Sequence, residues 1–351
     1  MGGFIGGQRI VTEIDFFDST DTLLRSGNNI TGTIPADFGL LTSLEHVDLS
    51  GNNFYGTLSK SMLNRWVSVE SLNIEDNSIT GTIPESIGNM LALKNFIIAK
   101  NKISGMIPES VGRCTNLERF DASDNQLTGS LPDSTGLWTQ LEHFNVHTNH
   151  LTGTLPTSIG NWTFIIDFYL CNNQFSGRIP DVITAWDVLT NFNIEYNSFT
   201  GTLPKSIGDL SVVTSFDVSD NMLTGFIPES IGNCSSLSFF SIEDNAFDGT
   251  VPKSIGALTS LTTLFLHSNR LSGTLPADAI GRFTSLQHTN VKNNQFTGMI
   301  PSSVGNWSRI VSVQMHNNTF TGTVPNIICS FNASNITADC DLVCDCCTFC
   351  L

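Results

Sequence analysis

LEHFNVHTNHLTGTLPTSI, residues Leu141–Ile159, and LTNFNIEYNSFTGTLPKSI, residues Leu189–Ile207, are two copies of one unit. In each, a proline stands seven residues after an asparagine: Pro156 after Asn149, Pro204 after Asn197. All 12 prolines of the chain obey this spacing, counted from Asn28, Asn77, Asn101, Asn125, Asn149, Asn173, Asn197, Asn221, Asn245, Asn269, Asn294 and Asn318. A thirteenth asparagine, Asn52, marks a unit with Ser59 in the proline slot. The step is 24 residues, stretched to 25 only from Asn52 to Asn77 and from Asn269 to Asn294. A period of this size specifies stacked units in a solenoid. It overrides the two globular domains that a length of 351 would suggest.

The unit reads LxxLxLxxNxLTGTIPxSIGxLxxL. It resembles the leucine-rich repeat, and its Thr-Gly-x-Ile/Leu-Pro insert is similar to the plant-type subclass of receptor ectodomains and secreted inhibitors. The resemblance runs from about residue 20 to residue 328. It implies an α/β-type solenoid of about 13 repeats, a right-handed superhelix with a parallel β-sheet on its concave face. The expected organisation is a degenerate N-terminal segment at 1–19, the solenoid at 20–328 and a Cys-rich cap at 329–351.

Elementary patterning agrees. The LxL stretch alternates apolar and polar residues, the signature of a half-buried strand. Five residues before the asparagine stand Phe96, Phe120, Phe144, Phe168, Phe192, Phe216 and Phe240, a column of core rings. A second column, two after it, holds Phe54, Phe175, Phe199, Phe247, Phe296 and Phe320. The asparagine amide is expected to satisfy buried backbone groups in the turn leaving the strand. Glycines such as Gly81, Gly105, Gly129 and Gly153 suit a tight turn, and the proline fixes φ.

Net charge is -16, which argues against nucleic acid or an anionic membrane surface as partner. No apolar run approaches the roughly 20 residues of a membrane-spanning helix. Six of the nine cysteines, Cys329, Cys340, Cys344, Cys346, Cys347 and Cys350, follow the last repeat. They read as a disulfide-stapled cap, with pairing open and a zinc site as the competing reading. Cys114 and Cys234 share a column too widely spaced to bridge and are expected as buried free thiols.

Glycosylation sequons occur at Asn29, Asn161, Asn233, Asn306, Asn317, Asn332 and Asn335. Asn161, Asn233 and Asn306 share one column away from the strand face. Together with the cysteine cap they point to an extracellular protein. The chain opens on Met1-Gly2-Gly3 with no secretory leader, so further N-terminal sequence is expected. Ile336-Thr337-Ala338-Asp339-Cys340, followed by Cys344-Asp345-Cys346-Cys347-Thr348, resembles the ending of leucine-rich repeat proteins of diatom algae. That resemblance implies an anchor before the repeats, so membrane attachment would come only through a segment absent from this chain.

Function is expected on the outward positions six, four, two and one before each asparagine, because these are free of packing duty. The candidate ligand-binding residues are Tyr169, Asn193, Glu195, Asp217, Phe239, Ser241, Glu243, Phe265, His267, His288 and His316. Aromatic anchors among carboxylates fit a protein or peptide ligand with a cationic surface. No cofactor is expected. His147, Cys171 and Glu195 share a column, but an open sheet without oxyanion donors does not make a nucleophilic enzyme. His143 and His147 are an incomplete metal set. The alternative reading is a polysaccharide- or ice-binding surface built on the flank column Thr33, Thr57, Thr82, Thr154, Thr202, Thr250, Thr274 and Thr323.

Overall fold

The computed structural model describes residues 3–5, 8–10, 22–24, 26–329, 335–339, 342, 347 and 349–350. It divides into two compact units, Met1–Phe175 and Ser176–Leu351. Each is a leucine-rich-repeat stack with the same internal construction.

In the first unit, short parallel strands of the main sheet run from Thr22–Leu24 to Asp167–Tyr169. In the second they run from Asn191–Asn193 through Phe239–Ser241 and Thr263–Phe265 to Phe349–Cys350. Register is one repeat per step, as in Phe144↔Phe168 and Phe216↔Phe240. Like residues therefore stack on like, and the sequence columns become ladders.

The core follows from this stacking. Phe120 and Phe144 lie 5.8 Å apart and Phe144 and Phe168 5.7 Å apart by ring centroid, all with no solvent exposure. In the second unit Phe192 and Phe216 are 5.0 Å apart, and the ladder ends at Phe240, after which Leu264, Thr289 and Val313 take the position. Thirteen residues after the asparagine, the indoles of Trp138 and Trp162 donate to Val111 O and Thr135 O of the preceding repeats. Cys114 and Cys234 occupy this same column, and their thiols donate to Ile87 O and Ile207 O. They are buried free thiols, with burial pushing them up to about 12 and about 11.

The repeat asparagine ties neighbouring repeats together. Asn125 Nδ2 donates to Ala122 O and Ser123 O of its own turn and to Ile98 O of the preceding repeat, while its Oδ1 accepts from Ile103 N. Asn221 repeats the pattern on Val218 O, Ser219 O, Ile194 O and Phe199 N. A side chain with both donors and an acceptor at this reach is needed, which no aliphatic residue supplies.

Three local features were not legible as periodicity. A second ladder of short strands follows the asparagine, as in Gln126–Gly129 with His150–Gly153. Most prolines precede a 3-10 turn, such as Pro156 at φ -70 before Thr157–Asn161, rather than an α-helix. The two 25-residue repeats instead carry α-turns, Lys60–Leu63 and Ala277–Ile280. The extra residue lets a 3-10 turn relax to α. Ser59, in the proline slot, caps the first of these by accepting from Met62 N.

Replacing Asn125 by Ala strands four buried or partly buried backbone groups and is expected to cost roughly 2–4 kcal/mol. Asn161 is exposed and holds a single partly buried bond to Gly136 O, so Asn161→Ala should cost only about 0.5–1 kcal/mol. Urea midpoints of the two variants check this. Gly81, at φ +80 with a Cβ position 2.7 Å from Thr57 Cγ2, should tolerate Ala no better than Asn125 does.

Candidate functional site

The main-sheet strands are only three residues long, so the outward columns do not all lie on strand. Phe239 and Ser241 fall within Phe239–Ser241, whereas Glu243 and Asp244 follow it in the turn. The residue just before the asparagine adopts left-handed backbone in repeat after repeat, including Asp220 (φ 50), Asp244 (φ 48) and Tyr196 (φ 49). Asp and Asn accept this conformation readily and a bulky residue rarely does. Gly27 and Gly51 in the same column are the sequence signal for it.

On the solvent side of the second unit, Phe239 and Phe265 meet edge to face at 6.2 Å, and Phe265 meets the His267 ring at 6.1 Å. All three are partly exposed. His267 Nδ1 lies 3.0 Å from Glu243 Oε2, and its Nε2 lies 3.8 Å from Asp244 Oδ2. Next to this group, Asp217 Oδ1 accepts from Ser219 N and Ser219 Oγ at 3.0 and 2.6 Å. Asn193 Oδ1 accepts from Glu195 N at 2.9 Å, and His288 lies partly exposed in His288–Asn290.

Carboxylates crowd here. Burial, and then the charge of Asp217, push Glu195 up to about 7. Burial also raises Asp217, against the opposing hydrogen bonds from Ser219. Asp220 is raised by burial and then by Asp244 and Glu243.

Three of the expected contact residues are buried. Ser241 is 1%, Asp217 7% and His316 9% exposed. Asp217 is spent on Ser219, and His316 Nδ1 lies 2.8 Å from Thr337 Oγ1. Burial, and then Lys292, hold the His316 imidazole below its ordinary value. Tyr169, in the first unit, is partly exposed, with its hydroxyl raised by burial and then by Asp167. Tyr196, in the outward column one before the asparagine but not among the expected contacts, is 56% exposed, the most open aromatic beside the acidic group.

Elsewhere, Asn29, Asn161, Asn233, Asn306 and Asn317 are exposed, while Asn332 and the side chain of Asn335 lie outside the described residues. Cys347 is disulfide-bonded. Cys340, Cys344, Cys346 and the side chains of Cys329 and Cys350 lie outside the described residues. The flank threonines are exposed, and their methyls pack over the next glycine: a Cβ on Gly225 would meet Thr202 Cγ2 at 2.7 Å. Repeat geometry therefore accounts for that column. No helix among the described residues is long and apolar enough to cross a membrane.

A carboxyl whose pKa is raised on folding stabilises the fold while protonated, and that contribution is lost as pH climbs from the ordinary value through the raised one. For Glu195 the window runs from 4.5 to about 7. Glu195→Gln should gain melting temperature relative to the parent at pH 8 and lose that advantage at pH 4.5, in paired thermal melts; a pH-independent difference would contradict the assignment.

The leucine-rich repeat family model matches residues 43–64, 68–90, 116–138, 140–162, 188–210, 213–234, 260–280 and 285–307, together just over half of the chain. Among curated proteins, the chain is similar to the LRR receptor-like serine/threonine-protein kinase GSO2 of Arabidopsis thaliana. The two are 36% identical over 69 residues, 20% of this chain and 6% of that one. Among solved structures it is similar to a TDR receptor, with a TM-score of 0.79 and 28% identity over 92% of this chain and 60% of that one. It is also similar to the Arabidopsis receptor kinase HAESA, solved with the peptide hormone IDA and the co-receptor SERK1, with a TM-score of 0.69 and 28% identity over 91% and 62% of the two chains. The chain thus spans under two thirds of these relatives. Ladder geometry, repeat spacing and family match agree that this chain belongs to the leucine-rich repeat family, in its plant-type form.

Proposed function

We propose that this chain is the ligand-recognition part of an extracellular receptor-like protein, and that it binds a peptide on the solvent side of its second unit. The observation that carries this reading is the partly exposed row of Phe239, Phe265 and His267. Aromatic rings held rigidly by a sheet and left open to solvent are the usual anchors of an interface. Glu195, Asp220, Glu243 and Asp244 around them favour a cationic ligand. Asn193 and His288 complete that surface, and Tyr169 is a separate contact in the first unit. HAESA, similar along 91% of this chain, was solved with a peptide hormone, which supports the ligand class.

The proposed organisation keeps the repeats at 20–328 and a disulfide-stapled cap of diatom-like type at 329–351, closing the last repeat. Glycans on Asn161, Asn233 and Asn306 would stand clear of the strand face. Recognition needs no catalysis by the chain itself.

Panning a displayed peptide library against the intact chain tests the site. Selected peptides should be enriched in Lys and Arg and should bind a Phe239→Ala/Phe265→Ala double variant at least about 10-fold more weakly. Equal binding by parent and double variant, with unchanged circular dichroism, would sink the site.

A further inference from the structure

In an extended strand, successive side chains point to opposite faces. Asp244, at φ 48, breaks that alternation. As a result Glu243 and Asp244, adjacent in sequence, both reach His267 of the following repeat, Glu243 at 3.0 Å and Asp244 at 3.8 Å. One ligand-type atom from each of the three lies within 4.8 Å of the others, the one such grouping of His, Cys, Asp and Glu among the described residues.

A second observation points to a missing partner. Glu243 Oε2 and His267 Nδ1 are shut off from solvent, yet neither is aligned for a hydrogen bond, although they face each other at 3.0 Å. A buried carboxylate oxygen and ring nitrogen left in this state are costly. A cation between them and Asp244 removes that cost.

We propose that Glu243, Asp244 and His267 form a site for a divalent cation of the Zn2+ class, with one coordination position open to solvent. The donor set selects the metal. One imidazole nitrogen with two carboxylates suits zinc, whereas calcium and magnesium prefer oxygen alone. Zinc holds such ligands at about 2.0–2.2 Å through one imidazole nitrogen, and because Glu243 faces Nδ1 while Asp244 faces Nε2, one carboxylate must swing toward the nitrogen the other now faces to share the ion. Two carboxylates balance the charge of the ion. Three protein ligands leave the fourth position for water or for a donor atom of a bound partner. The site does not depend on the peptide reading, since it stands on the geometry of these three residues.

Isothermal titration of the intact chain with ZnCl2 tests it, alongside His267→Gln, Asp244→Asn and His147→Gln. Asn preserves the left-handed preference at 244, and His147 serves as a histidine control in the other unit. Binding should be at least about 10-fold weaker in the first two variants and unchanged in the third. Co2+ should give the parent a visible d–d absorption that His267→Gln lacks. Identical isotherms and spectra for parent and His267→Gln, or equal losses in His147→Gln, would mean an adventitious ion only and overturn the site.

Discussion

Each repeat asparagine is bonded at once to its own turn and to the repeat before it, and the rest of the architecture depends on that double tie. The amide carries two N–H groups and one carbonyl. In Asn125 these serve three backbone carbonyls and one backbone N–H. The chain must reverse direction after every strand, and the reversal leaves backbone groups inside the stack with no ladder partner. An unpaired buried group costs about 1–3 kcal/mol. With a turn in every repeat, that penalty would exceed the net stability of an ordinary domain.

Once the turns are fixed at one spacing, identical positions fall on top of one another. The phenylalanine column becomes a stack of rings, the threonine methyls sit over glycines, and tryptophan or cysteine in one column donates to a carbonyl of the repeat before. Each device works only against its neighbour. The fold is therefore a sum of nearest-neighbour interfaces. Local variation, such as Ser59 for proline or an inserted residue, is absorbed within one repeat, by a side-chain cap or by an α-turn in place of a 3-10 turn.

The same regularity leaves the outward columns free to vary. In the second unit that freedom has gathered aromatic rings and carboxylates on one surface. Left-handed backbone at Asp220 and Asp244 turns their side chains toward the neighbouring repeat, so charges from adjacent repeats meet at short range. Glu195 and Asp217 are held against their preference to ionise, and such opposition to local stability is typical of functional surfaces.

The spacing of asparagine and proline alone determined the solenoid, the ring columns and the buried thiols, because those features repeat and periodicity is read directly from sequence. The outward columns were legible as columns, but not their exposure or their partners. Ser241, Asp217 and His316 are outward by position yet buried, and Asp217 and His316 find partners in Ser219 and Thr337 that periodicity does not reveal. Tyr196 stands in a column legible as outward, one before Asn197, but its 56% exposure beside the acidic group follows from the left-handed turn there. The meeting of Glu243, Asp244 and His267 was likewise decided by tertiary structure. Residues 24 apart become neighbours only through strand register, and whether their side chains converge depends on one backbone angle that composition does not encode.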